Sequence, residues 1–212
     1  MEKSWVKHMT DQITYPVMEV FPTLQGEGRY TGSPAYFIRL AGCDVGCSWC
    51  DVKESWPAGE HPHVSVDELV LGAKNSGLPM VVVTGGEPCM YDLVSLTAAL
   101  RKEGLKIHLE TSGAHPIRGD FDWITLSPKK FKACLPDSYL RAHELKVVVV
   151  NNHDLTWARE QALNVNEDTL LYLQPEWDRK DKVHALLMAF LGTEEGSVWS
   201  LSTQTHKYLG IP

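Results

Sequence analysis

From residue 35 onward the chain repeats one pattern: a short apolar run, then a stretch with apolar residues at helical spacing. The runs are AYFIRLAG (35–42), MVVVTG (80–85), LKIHLE (105–110), DWITLS (122–127), LKVVVV (145–150), LLYLQ (170–174) and VWSLST (198–203). Several are continuously apolar, as strands buried on both faces of a parallel sheet must be. Between them, SVDELVLGAKNSG places Glu68 three residues after Ser65, a capping-box pattern, and reaches Gly77 at its end. YDLVSLTAALRKEG stops at Gly104, and HDLTWAREQAL and DRKDKVHALLMAFLG have similar spacing. Alternating strands and helices predict an α/β fold, with parallel strands and outer helices, either doubly wound or a barrel. Periodicity does not separate those two.

Length and charge narrow the function. The 212 residues suffice for one sizeable domain, expected to span 1–212. The net charge of −7, with no basic stripe, argues against a nucleic-acid surface. No run is long enough to span a membrane, and MEKSWVKHMTDQ has no apolar segment of a secretory signal. A cytoplasmic location is expected, where thiols stay reduced and bind metal more readily than they pair.

The polar and Gly-rich motifs fall where the strands end: AGCDVGCSWC, TGGEP, ETSG, SPK and QPE. In parallel α/β folds ligands sit at the carboxyl ends of the strands, so these motifs predict a single deep site. Cys43, Cys47 and Cys50 form C-x3-C-x2-C, three of the five cysteines in the chain. Two centres fit that spacing. One is a zinc site completed by a distant His or Cys; the other is an iron–sulfur cluster whose three thiolates leave one iron open. Cys89 and Cys134 have no such pattern and read as small buried hydrophobes. Two glycines in TGGEP (84–88) allow close backbone approach, yet Gly pairs are common in loops and, taken alone, the motif reads as a plain strand-to-helix turn. Arg39 is either a carboxylate-binding fork or an outward strand charge. Gln25 and Glu27 offer an amide and a carboxylate for a pterin or guanine edge, or else belong to a surface turn. STQTHKYLGIP is apolar and aromatic and either frays or folds back as a lid.

Together, C-x3-C-x2-C and TGGEP resemble the radical S-adenosylmethionine superfamily. FPTLQGEGRYTGSPAYFIRLAGC and the ending QTHKYLGIP resemble, within it, the 7-carboxy-7-deazaguanine synthases. The likeness runs from about residue 15 to residue 212. It implies an incomplete (β/α) radical-SAM barrel in a homodimer, with a 1–14 N-terminal extension, a 43–60 cluster-binding loop and a 204–212 tail closing the active site. It also implies a 4Fe-4S cluster on Cys43, Cys47 and Cys50, with S-adenosylmethionine on the open iron. Reduction by a donor such as flavodoxin or ferredoxin would then yield a 5′-deoxyadenosyl radical. That radical would act on 6-carboxy-5,6,7,8-tetrahydropterin, whose ring contracts and loses ammonia to give 7-carboxy-7-deazaguanine, a precursor of queuosine.

The resemblance further assigns roles by motif. Trp49, Asp51, Gly86, Ser112, Ser127, Pro128, Lys129 and Gln174 would contact S-adenosylmethionine. Leu24, Gln25, Gly26, Glu27, Arg39 and Thr84 would contact the pterin, with His206 and the terminal carboxylate of Pro212 closing over it. No residue is singled out as an acid or base. One position departs: where the family has a magnesium-binding threonine, this chain has Val52, which offers no oxygen to a hard cation. Two other classes fit the cysteines alone: a zinc or redox protein, and an activase that makes glycyl radicals on a partner protein. Neither accounts for TLQGEG.

Overall fold

The structure is a computed structural model that describes residues 12–212. Its strands are β1 (Thr14–Leu24), β2 (Pro34–Leu40), β3 (His63–Ser65), β4 (Met80–Gly85), β5 (Lys106–Thr111), β6 (Trp123–Leu126), β7 (Glu144–Val149), β8 (Leu170–Pro175) and β9 (Trp199–Leu201). They form one sheet in the order β3-β1-β2-β4-β5-β6-β7-β8-β9. The strands from β2 and β4 onward run parallel, and β1 pairs antiparallel with both β2 and β3. Strands β3 and β9 end the order without pairing to each other, so the barrel is open.

Each apolar run recognised in the sequence is a strand of this sheet, with ends shifted by a residue or two. The run at 35–42 stops at Leu40, because the chain turns at Gly42, whose φ is +99°. Strands β1 and β3 were not anticipated. Pro16 and Pro22 argue against a central strand. Pro22 is tolerated because β3 covers β1 only over Thr14–Pro16, leaving the rest as an edge, and Pro16 sits at the last pair of that short ladder, opposite His63. The expected N-terminal extension falls outside the described residues up to position 11, and β1 already begins at Thr14.

The helices α1 (Val66–Asn75), α2 (Val94–Lys102), α3 (Pro136–Leu140), α4 (Asn152–Ala162), α5 (Lys180–Leu191) and α6 (Thr205–Leu209) include two short ones, α3 and α6, with no clear sequence signal. The Ser65–Glu68 capping box starts α1 as expected, and Asn151 with Asp154 caps α4 the same way. Leu69 of α1 and Leu96 and Leu100 of α2 pack on Ile38, Val81, Val83, Ile107 and Leu109. Leu155 of α4 and Val183 and Leu187 of α5 pack on Leu145, Val147 and Leu173. Truncating one of these wholly buried leucines to alanine costs about 2–5 kcal/mol. The helices thus cover one face of the sheet and leave the other to hold a site.

Candidate active site

The cysteine loop follows β2. Gly42 N donates to Ser55 O at 2.6 Å and Cys43 N to Trp56 O at 3.2 Å, so the far side of the loop is tied back to its start. Cys43, Cys47 and Cys50 lie against Val45, Trp49 and Ala114 and face a cavity of about 450 Å³. Burial pushes the Cys43 thiol up, and the Cys47 thiol up to about 11 against the pull of Lys129. Among the described residues no three His, Cys, Asp or Glu side chains converge on one ion position. A cluster binds each thiolate at a different iron and needs no such convergence. The donor set, three soft thiolates on one loop, fits an iron–sulfur centre.

The next motifs close around that loop. A Cβ on Gly86 would lie 2.3 Å from the Gly42 carbonyl oxygen, so only glycine lets the β4 turn approach the cysteine loop this closely. Glu87, wholly buried, accepts from Cys89 N at 3.0 Å, Thr111 Oγ1 at 2.6 Å and Ser112 N at 2.8 Å. It pins the β4 turn to the end of β5, and the Ser112 hydroxyl also donates to it. Lys129 Nζ donates to Ser127 O at 2.7 Å and lies 5.6 Å from the centre of the Trp49 ring. Gln174 accepts from Ser202 Oγ at 2.8 Å through its amide oxygen. Thr84, Gly86, Ser112, Ser127, Lys129 and Gln174 line the cavity, as do Trp49 and Asp51. Pro128 does not line it, although its neighbours Ser127 and Lys129 do.

After β1 the chain crosses the concave face of the sheet. Arg29 N donates to Glu144 of β7 at 2.9 Å, and the Tyr30 ring packs edge-on against His108 of β5 at 4.4 Å. This crossing carries Leu24, Gln25, Gly26 and Glu27 into the cavity wall. Gln25 bridges two groups there: its amide oxygen accepts from Glu27 N at 3.1 Å, and its NH2 donates to Glu110 at 3.1 Å. Lys146 of β7 donates to Glu27 and, at 2.9 Å, to Glu110. All three charges are shielded from solvent. Burial raises the Glu110 carboxyl, with Glu27 and Glu144 adding to the rise against Lys146. Burial acts on Glu27 in the same sense, but the Lys146 ammonium prevails and lowers it. Lys146 is held charged because its carboxylates outweigh the burial that would lower it.

Lys146 and Glu110 were missed in the sequence, although LKVVVV carried a signal: a lysine inside a buried strand has to be paired.

The tail closes the remaining side. Thr205 N donates to Gly26 O at 2.9 Å, and a Cβ on Gly26 would lie 2.0 Å from His206 Nδ1. Burial lowers the His206 ring, so it is neutral at neutral pH. Thr23 Oγ1 donates to Pro212 O at 3.0 Å, and both His206 and Pro212 line the cavity. Arg39 lines it too. Its Nε donates to Glu19 at 2.7 Å, directly across the β1–β2 pair, and its guanidinium lies 5.6 Å from the centre of the Phe21 ring. Val52 also lines the cavity and supplies no side-chain oxygen, while the neighbouring Asp51 carboxylate is engaged by Lys207 and Gln204. These residues do not fit a protein-anchored magnesium ion.

Residues 37–130 match the radical SAM superfamily. The chain is 49% identical over 197 residues to the 7-carboxy-7-deazaguanine synthase of Flavobacterium psychrophilum, covering 93% of this chain and 92% of that one. The chain belongs to the 7-carboxy-7-deazaguanine synthase family. A Synechocystis synthase is likewise 49% identical, over 94% of each chain. A crystal structure of QueE from Escherichia coli superposes with a TM-score of 0.81 at 35% identity, over 91% of this chain and 95% of that one. Membership in this radical SAM family implies a 4Fe-4S cluster and S-adenosylmethionine, which the three-thiol loop and the strand-end motifs suit. Among the described residues no helix is long and apolar enough to cross a membrane.

Proposed function

We propose that this chain converts 6-carboxy-5,6,7,8-tetrahydropterin to 7-carboxy-7-deazaguanine by hydrogen abstraction, ring contraction and loss of ammonia. One observation carries this: a single cavity is walled on one side by the three-thiol loop and on the other by Leu24–Glu27, Arg39 and the C-terminal tail. When bound, the 4Fe-4S cluster and S-adenosylmethionine supply the one-electron chemistry that removes hydrogen from carbon.

The residues of the chain supply position and exclusion. Arg39, with Nε held by Glu19, presents its two Nη groups to the substrate carboxylate. Glu27 stays ionised and suits the amino edge of the pterin ring. Glu110, whose carboxyl is raised by burial, suits a group that takes up or releases a proton as the ring rearranges. The turn at Gly86, with Ser112, Ser127, Lys129 and Gln174, is assigned to S-adenosylmethionine. His206 and the Pro212 carboxylate cover the substrate and keep water and other hydrogen donors out. The whole chain is assigned to one radical-SAM domain, acting as a homodimer with a flavodoxin- or ferredoxin-type donor. Val52 leaves any magnesium ion to substrate oxygens and water.

The test is anaerobic reconstitution followed by incubation with S-adenosylmethionine, reductant and the pterin. Deazapurine absorbance that depends on S-adenosylmethionine supports the proposal. A fully loaded protein that cleaves S-adenosylmethionine yet yields no deazapurine overturns it.

A further inference from the structure

We infer that Lys207 is a positioning residue: through Asp51 it latches the C-terminal tail to the cysteine loop, so that the order of one depends on the order of the other. The inference deepens the function proposed above and rests on it for its effect on substrate.

Two attachments hold the tail. On one side Thr205 N is bonded to Gly26 O, His206 fills the space that Gly26 leaves, and Thr23 bonds the Pro212 carbonyl. On the other side Lys207 Nζ is paired with Asp51 Oδ2, and Gln204 Nε2 donates to that same oxygen at 3.1 Å. Asp51 directly follows the ligand Cys50. Trp177 backs the latch: Lys207 Nζ lies 5.1 Å from its ring centre, and the Tyr208 ring meets it edge-on at 5.1 Å. Lys207 is thereby aimed at Asp51 and not left free to swing.

The pair does little for overall stability. The Asp51 side chain is 49% exposed, and partly solvated pairs contribute about 0–1 kcal/mol. Its consequence is local. Helix α6 spans only Thr205–Leu209, too short to persist without docking. A short helix held at two places loses much of its order when one is cut. Whatever fixes the loop also steadies His206 and Pro212, and by linkage a tail closed on substrate steadies the loop in return.

The test uses hydrogen–deuterium exchange of the full, reconstituted chain without substrate, followed by steady-state kinetics. In Lys207→Met the amides of 205–211 and of 51–56 should exchange about three- to fivefold faster, with iron content unchanged, and Lys207→Arg should restore slow exchange. The exchange effects of Lys207→Met and Asp51→Asn should not add in the double variant. The pterin KM should rise about three- to fivefold in Lys207→Met, with kcat changing much less. Unchanged tail exchange in Lys207→Met, additive effects, or an unchanged KM in an active enzyme overturns the latch. A wild-type protein that shows the exchange coupling but makes no deazapurine removes the proposed function and leaves the latch standing.

Discussion

Lys146 Nζ lies 2.9 Å from a Glu110 carboxylate oxygen on the cavity floor, joining β7 to β5, and it also holds Glu27 from the segment that crosses beneath them. One ammonium thus ties three separate parts of the chain to a single point. Replacing it with Lys146→Met leaves two buried carboxylates without their cation, at a cost of about 3–5 kcal/mol. Chemical denaturation should show that loss, and adding Glu110→Gln should recover part of it. A single variant as stable as the parent would show that the carboxylates find other partners.

Arg39 is oriented before substrate arrives, by Glu19 across the strand pair and Phe21 beneath it. Arg39→Ala should weaken substrate binding by about 2–5 kcal/mol, because a charged partner is removed from a desolvated contact. Glu19→Gln should cost no more than about 1 kcal/mol, since the Glu19 side chain is partly solvated. Substrate KM for the two variants, with cleavage of S-adenosylmethionine followed in parallel, separates the effects. An unchanged KM for Arg39→Ala would leave Arg39 as a strand charge and nothing more.

Burial lowers His108 to about 4, whereas an unfolded histidine titrates near 6.5. Between those values the unfolded chain binds a proton that the folded chain refuses. Stability attributable to His108 is therefore full above about pH 6.5 and is lost as pH falls to about 4, by roughly 2–3 kcal/mol. Denaturation at pH 7 and pH 4 should show a smaller difference for His108→Phe than for the parent. Equal acid sensitivity in both would exclude His108 as a source.

Only Cys43, Cys47 and Cys50 are expected to bind iron. Burial raises the Cys89 thiol to about 12 and the Cys134 thiol to about 11, and neither belongs to the cysteine loop. Alanine variants at the first three should each lose iron on reconstitution, and Cys134→Ala should keep it. A full cluster in any of the three loop variants would break the assignment.

Val52 predicts turnover that depends weakly on magnesium, and a Val52→Thr variant that gains dependence by supplying an oxygen. A magnesium titration against chelator measures both. Strict, tightly saturating dependence in the parent would place the ion on another residue.

Much of this protein is written locally. The parallel strands, the capping box at Ser65 and the cysteine spacing follow from period, turn chemistry and ligand geometry, which act over a few residues. The pairing of Lys146 with Glu27 does not, because they are 119 positions apart and only the crossing of the concave face brings them together. The same holds for β1, whose prolines disguise it until the open edge is seen, and for Asp51, which spacing places beside the cluster but the tail holds from outside. These contacts join elements far apart in the chain. A buried charge shows in sequence that a partner must exist, and only the fold shows which one it is.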